Sequence, residues 1–177
     1  MTLAAPPAGE TTPPELTLDD LVERHGDAVL RLACAMLRDR ALAEDVFQDV
    51  FVRAFRSAAT IRDPAAVRSW LLTVTANRCR DELRSWSRRH VSYVADVPEP
   101  DVRQDLGADS PDPGLALAVL DLPPRFREVI LLHYYFELPV ADVARVVGVS
   151  PVTVRTRLHR GRAALRGALA KEGSTDV

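Results

Sequence analysis

The chain has 177 residues, of which 47% are hydrophobic and 27% charged, and its formal net charge is −2. This length allows one medium domain or two small ones with real hydrophobic cores. Cys34 and Cys79 are far apart and form no CxxC motif, so neither a disulfide framework nor a zinc knuckle is indicated. The longest apolar run, 129–136, is interrupted by His133 and is far shorter than the ~20 residues of a membrane span. We therefore expect no membrane insertion and a cytoplasmic location.

Charge is segregated along the chain, although its sum is small. Residues 145–171 contain seven basic residues and no acidic residue, and residues 68–89 contain six arginines against Asp81 and Glu82. Residues 91–114 reverse the sign, with six acidic residues against Arg103 alone. Two basic segments that flank an acidic one indicate DNA binding by a protein that is near neutral as a whole.

The predicted elements of the first part of the chain are helices. Thr17, followed three residues later by Asp20, forms a capping-box-like start, after which apolar residues recur at helical spacing. A second apolar stripe covers residues 42–55, with acidic and amide side chains on its other side. Asp63 and Pro64 form an N-cap with proline at the first helical position. We expect helices over about 18–38, 41–58 and 64–89.

Residues 90–113 are polar, acidic and rich in proline, without an apolar period, which predicts a flexible linker. Beyond it, prolines or cap residues precede each apolar stretch, and Gly148 ends one of them. The expected helices lie at about 115–120, 124–136, 139–148 and 151–170. The chain thus divides into a disordered tail, 1–17, a first module, 18–90, the linker, 91–113, a second module, 114–171, and a second tail, 172–177.

The strongest functional signal is a helix-turn-helix between residues 140 and 165. Gly148 supplies the positive φ that the tight turn needs, and Ser150 caps the second helix. One side of that helix is apolar and the opposite side is almost purely basic, so it can enter a major groove and read guanine edges. The alternative is a solvated arginine-rich helix on an ordinary bundle. The predicted DNA contacts are Thr153, Arg155, Thr156, His159 and Arg160.

Three stretches resemble the extracytoplasmic-function sigma factors, non-catalytic subunits that give bacterial RNA polymerase its promoter specificity. Residues 122–166 resemble region 4, which recognises the minus-thirty-five element. AEDVFQDVFVRAF, residues 43–55, resembles region 2.2, and WLLTVTANRCRDELR, residues 70–84, resembles regions 2.3 and 2.4. The resemblance covers about residues 18–170. It implies an all-α fold of two small helical modules joined by an acidic flexible linker, the second containing the helix-turn-helix.

The resemblance also assigns residues to two surfaces of the first module. It places the polymerase-binding surface on Asp45, Gln48 and Asp49, which share one helical face at positions i, i+3 and i+4. It assigns Asn77 to the capture of an unstacked minus-ten base, for which an amide presents both a donor and an acceptor. The alternatives are a solvated acidic face and an incidental surface amide. Three arginines continue the ridge of Asn77 and would hold phosphate: Arg80, Arg84 and Arg88.

The resemblance gives the linker a geometric task. Promoter elements about two helical turns apart would hold the modules ~65 Å from each other at 3.4 Å per base pair. A flexible stretch of 24 residues, 90–113, averages only ~27 Å end to end, although it reaches ~80 Å when stretched. The linker must therefore be extended when both modules bind DNA. In the family this segment threads the polymerase cleft; a simple solvated linker is the alternative.

The implied partners are core RNA polymerase, promoter DNA and an anti-sigma factor. No cofactor and no metal are expected, because the four histidines are scattered without a second ligand at metal spacing. A second hypothesis is a stand-alone helix-turn-helix regulator, which would bind two-fold DNA half-sites without polymerase. A third is an enzyme with Cys34 or Cys79 as nucleophile, but neither cysteine has an activating histidine or acid beside it. We therefore expect no catalysis.

Overall fold

All regular elements are helices in the computed structural model, which describes residues 17–57, 64–89 and 112–172. The first module contains α1, Leu18–Leu37, α2, Arg40–Ser57, and α3, Pro64–Arg89. The second module contains α4, Pro113–Asp121, α5, Pro124–Ile130, a π-helical turn, Leu131–Tyr135, α6, Val140–Val147, and α7, Pro151–Glu172. The predicted all-α fold with two helical modules is confirmed. Nearly all of the predicted linker and tails, together with the α3 cap at Asp63, lies outside the described residues.

Local hydrogen bonds explain where two of the helices begin. The Thr17 hydroxyl accepts the Asp20 N–H at 3.1 Å, and the Asp20 carboxylate accepts the Thr17 N–H at 3.2 Å, which completes the predicted capping box. Hydrogen bonds from Thr17 lower the pKa of Asp20 below its usual value. At α7, the Ser150 hydroxyl accepts the Thr153 N–H at 3.2 Å. Gly148 ends α6 with a φ of 70°, as the tight turn requires.

The core of the first module lies between α1, α2 and α3. Leu32 of α1 and Val50 of α2 are fully buried, as is Ala76 of α3. Both cysteines are also buried in this core, and burial raises the pKa of Cys79 to about 12. A buried thiol with a raised pKa is a poor nucleophile. The cysteines are therefore part of the packing.

The end of α5 differs from the single helix that was predicted over 124–136. Leu131 begins a π-helical turn, and its carbonyl accepts the Phe136 N–H at 2.9 Å. A regular helix would return Tyr135 to the buried face that Leu131 occupies. The extra residue of the π turn brings Phe136 to that face instead, where it is 2% exposed, and leaves Tyr134 and Tyr135 about half exposed.

The second module depends on a close approach between α5 and α7. A Cβ added to Gly161 of α7 would lie 3.1 Å from Cγ1 of Ile130 and 3.5 Å from Cβ of Phe126. We expect Gly161→Val to lower the free energy of unfolding by about 1 to 2 kcal/mol, because overpacked side chains displace their neighbours. Gly167→Val is the matched control, since nothing lies within 4 Å of the added Cβ. Urea unfolding followed by circular dichroism tests this, and equal effects at both glycines would contradict the close packing.

Candidate nucleic-acid and polymerase interfaces

The helix-turn-helix consists of α6, the turn at Gly148 and α7. Val143 of α6 and Val154 and Leu158 of α7 are buried where the two helices pack against each other. Thr153 is half-buried, and its hydroxyl lies 2.9 Å from the Ser150 hydroxyl, so it also belongs to the helix cap. The other four predicted contacts are exposed on the opposite side: Arg155, Thr156, His159 and Arg160.

The charge of this exposed face has one sign. Arg162 and Arg166 extend it along α7, and the helix contains no acidic residue before Glu172. Guanidinium groups spaced along one helix face can contact both base edges and the flanking phosphates of a duplex. The face is therefore suited to a major groove in shape and charge.

The second predicted surface is the exposed side of α2. Asp45, Gln48 and Asp49 are all exposed, while Val46 and Val50 on the other side are fully buried. The arrangement is the one that the spacing predicted. The structure thus presents two carboxylates and an amide together to solvent.

The two carboxylates of α2 differ in their surroundings. Asp49 accepts a hydrogen bond from Nε of Arg78 in α3 at 2.8 Å, and this bond raises the pKa of Arg78. Arg78 also contacts Glu82 at 2.7 Å. Within the described ranges, the structure gives Asp45 no ion pair. Asp49 therefore helps to hold α2 on α3. A substitution of Asp45 tests a partner surface more directly, because it breaks no ion pair within the described ranges.

Sequence reasoning missed the apolar part of this surface. Phe55, which the periodicity assigned to the buried stripe, is 64% exposed, and Val52 is 49% exposed. Phe55 lies 40° around the helix from buried Phe51, but it stands in the last turn of α2, which ends at Ser57. The exposed face of α2 therefore combines carboxylates with two apolar side chains.

The predicted minus-ten ridge lies on α3. Asn77 and Arg84 are exposed, and Arg84 pairs with Asp81 of the same helix at 3.2 Å. Arg80 is half-buried and points toward the second module. Arg88 belongs to α3, but its side chain lies outside the described part of the chain. The structure thus brings Asn77 and Arg80 into contact through the Asn77 side-chain oxygen, which accepts from Arg80 Nη2.

Arg80 makes most of its contacts with the second module. Its Nη1 donates to the carbonyl of Val147 at 2.8 Å, and its Nη2 donates to the carbonyl of Val146. Its Nε lies 3.3 Å from Oε1 of Glu128, which has no hydrogen-bond donor among the described residues. The Nε hydrogen is directed to the carbonyl of Ala76 at 3.2 Å, so the contact with Glu128 is electrostatic.

Two charged residues of α5 are buried, which the sequence did not predict. Arg127 is 5% exposed and donates to the carbonyls of Leu120 and Met36, and burial lowers its pKa to about 10. Glu128 is 6% exposed, and burial raises its pKa. One feature of the sequence could have indicated the burial of these two residues. Residues 129–132, which follow them, are all apolar, and a helix that is apolar all round is enclosed on every side.

No candidate metal site is present in the part of the chain that the structure describes, since no three His, Cys, Asp or Glu side chains come together there. None of the described helices is long and apolar enough to cross a lipid bilayer. Three surfaces remain as candidate interfaces in this part of the chain. They are the basic face of α7 with Arg155 and Arg160, the mixed face of α2, which combines Asp45 and Gln48 with Val52 and Phe55, and the polar ridge of α3 with Asn77 and Arg84.

Comparison with known proteins assigns both modules. Residues 21–89 match Sigma-70 region 2, and residues 115–165 match Sigma-70, region 4. The chain is 35% identical over 167 residues to the ECF RNA polymerase sigma factor SigE of Mycolicibacterium smegmatis, covering 88% of this chain but only 63% of SigE. It is 34% identical over 159 residues to the ECF RNA polymerase sigma factor SigL of Mycobacterium tuberculosis, covering 88% of this chain and 90% of SigL.

The fold is also similar to that of the sigma factor RpoE in its complex with the anti-sigma factor NepR from Bartonella quintana. The TM-score is 0.66 at 20% sequence identity, and the alignment covers 86% of this chain and 96% of that chain. The two sigma regions occur in the predicted order on the two modules, so a stand-alone regulator is not favoured. The chain belongs to the extracytoplasmic-function sigma factors of the Sigma-70 family.

Proposed function

We propose that the chain binds core RNA polymerase and directs it to promoters, in the cytoplasm and without catalysing a reaction itself. Residues 18–90 bind polymerase and the minus-ten element, residues 91–113 link the modules, and residues 114–171 bind the minus-thirty-five element. The observation that carries this proposal is the exposed, basic face of α7 within the part of the chain that matches region 4. A chain that also matches region 2 has the second surface that a polymerase subunit needs.

The mixed face of α2 supports the polymerase contact. Protein interfaces commonly join an apolar centre to a polar rim, and exposed Val52 and Phe55 lie on the same helix as Asp45 and Gln48. Large apolar side chains that remain exposed on a surface helix indicate a partner surface when polar residues surround them. We assign core polymerase as that partner.

The charge on α2 provides the test of this assignment. We expect Asp45→Lys to weaken association with core polymerase about tenfold. A polymerase surface that complements the Asp45 carboxylate is positively charged, so a lysine at this position would be repelled by it. Helical content should stay unchanged, since Asp45 is exposed. Glu44→Lys is the matched control, because Glu44 is also exposed and pairs with Arg40 of its own helix at 2.8 Å. Binding to core polymerase is measured by fluorescence anisotropy of the labelled chain. If Asp45→Lys bound polymerase as tightly as the parent chain, the assignment of the interface to α2 would be wrong.

We also propose that an anti-sigma factor regulates the chain. A groove of about 650 Å³ is lined mainly by apolar side chains of the second module, including Val119 of α4, and Arg31 and Ala35 of α1 border it from the first module. Tyr134 and Tyr135 of the π turn border the groove and are about half exposed. An apolar groove that joins two modules suits an amphipathic helix of a partner protein. Such a partner would hold the modules in their present arrangement.

A further inference from the structure

The π turn at the end of α5 determines which of its side chains reach the surface. Its extra residue brings Phe136 into the core and leaves the rings of Tyr134 and Tyr135 about half exposed. Both rings border the apolar groove of about 650 Å³. Single π turns inside helices occur frequently at functional sites. This one supplies two aromatic rings, each with a hydroxyl group, to the margin of the groove.

The apolar wall of the groove comes from three elements of the second module. It includes Val119 of α4, Leu131 of the π turn and Leu165 of α7. Leu115 of α4 also belongs to this wall and is 39% exposed, although its side chain is large and apolar. Exposed apolar surface with polar residues at its rim marks a binding site. The volume of the groove lies within the roughly 300 to 1,000 Å³ of small-molecule sites. The groove is therefore large enough for one small ligand with an apolar body.

The charged side chains that line the groove have one sign. Among the described residues they are Arg31 of α1 and Arg162 of α7, and no acidic side chain lines it. Asp27 lies one turn before Arg31 and accepts a hydrogen bond from its Nε at 2.9 Å, which fixes the guanidinium at the rim. A concave apolar surface that is lined by charges of one sign attracts the opposite sign. The groove therefore favours a ligand with an anionic group.

Arg31 and Tyr135 form a polar pair at the rim. Nη1 of Arg31 donates to the Tyr135 hydroxyl at 3.0 Å. Because the hydroxyl oxygen accepts this bond, the hydroxyl can donate its own proton to a further acceptor. A carboxylate beside the pair would accept from the hydroxyl and be attracted by the guanidinium. Hydrogen bonds to an ionised group are about twice as strong as those between neutral groups.

We propose that the groove binds a long-chain carboxylate, with its head on Arg31 and Tyr135 and its hydrocarbon chain on the apolar wall. This class of molecule joins a single anionic group to a flexible apolar body, which are the two properties that the groove selects. The groove is also the one that we assign to an anti-sigma helix. Both occupants need the same apolar side chains, so they exclude each other. Only this exclusion rests on the proposed function, and the ligand site itself does not.

Calorimetric titration of the full chain with sodium myristate, below the concentration at which it forms micelles, tests the site. Tetradecyltrimethylammonium is the control ligand, because it combines a chain of similar length with a cationic head. We expect one myristate to bind per chain and the ammonium compound to bind about tenfold more weakly, since Arg31 repels it. Equal affinities would show adsorption to apolar surface alone and would overturn the proposal. An absence of myristate binding would also overturn it and would leave the groove to the partner helix.

Variants of the polar pair locate the bound carboxylate. Arg31→Gln removes the guanidinium, whereas Tyr135→Phe removes only the hydroxyl and keeps the ring. We expect each variant to bind myristate about tenfold more weakly, since an interaction with a charged group is lost. Arg24→Gln is the matched control and should bind myristate like the parent chain, because Arg24 is exposed on the same helix and does not line the groove.

The comparison of these variants decides the proposal even if one of them folds poorly. Should Arg31→Gln lose helical content, as judged by circular dichroism, Tyr135→Phe still decides the question, because Tyr135 is half exposed. Equal myristate affinities in Tyr135→Phe and Arg24→Gln would show that the carboxylate does not lie on the pair, which would overturn the site. No polymerase, DNA or partner protein is present in the titration. Its failure is therefore distinct from a failure of the proposed function, which the Asp45 variant tests.

Discussion

Arg155→Ala is expected to relax promoter preference at one or two positions of the minus-thirty-five element, whereas Arg166→Ala should lower affinity for all promoters alike. Both side chains are exposed on α7, but Arg155 lies near the start of the helix and close to the centre of its polar face. A base-edge arginine contributes ~1 to 3 kcal/mol of discrimination, which is up to about a hundredfold in preference. A phosphate contact acts on all sequences and adds about one unit to the salt slope.

Competition binding of each holoenzyme variant to a promoter library at two salt concentrations separates these roles. The expected result is an altered preference profile for Arg155→Ala and a flatter salt dependence for Arg166→Ala. If Arg155→Ala instead lowered the affinity for every promoter by the same factor, Arg155 would contact the DNA backbone and not base edges. The assignment of sequence reading to α7 would then be wrong.

Asn77→Ala is expected to impair strand opening at the minus-ten element more than it impairs the first binding of the closed promoter. The side chain is exposed on α3, so it is available to a base that leaves the stack. Such a base exists only after melting starts, and loss of its amide contacts should reduce the open complex by about tenfold or more. Permanganate reactivity of unpaired thymines measures the open complex.

Arg84→Ala is the comparison for this experiment, because Arg84 is exposed on the same ridge and is predicted to hold phosphate. It should weaken closed and open complexes together and reduce the salt dependence of binding. If permanganate reactivity were unchanged in Asn77→Ala, Asn77 would not capture a base and would be an incidental surface amide. The two variants thus distinguish base capture from backbone contact.

Local signals were sufficient to predict most of the helices. The Thr17 and Asp20 capping box, the Gly148 turn and the Ser150 cap depend on side chains within a few residues of each helix end, and all three occur as expected. The faces of α2 and α7 followed from helical spacing, because one side of each helix must be buried. These features depend on short-range geometry that a single sequence contains.

The contacts between the modules could not be predicted in the same way. Arg80 is 67 residues from Val147 in sequence, and Arg127 is 91 residues from Met36. Spacing along one helix does not reveal which distant helix end will accept a guanidinium hydrogen bond. The π turn was missed for a related reason, since only the packing of Phe136 in the finished core distinguishes it from a regular helix.

Promoter-directed transcription tests the central claim most directly. Purified core RNA polymerase is incubated with genomic DNA, with and without the full chain, and the 5′ ends of the transcripts are sequenced. We expect discrete start sites that appear only with the chain, each preceded by two sequence elements about two helical turns apart, and these sites should weaken with Asp45→Lys. If the chain bound two-fold symmetric DNA sites alone and left the start sites of polymerase unchanged, it would not act as a promoter-specificity subunit.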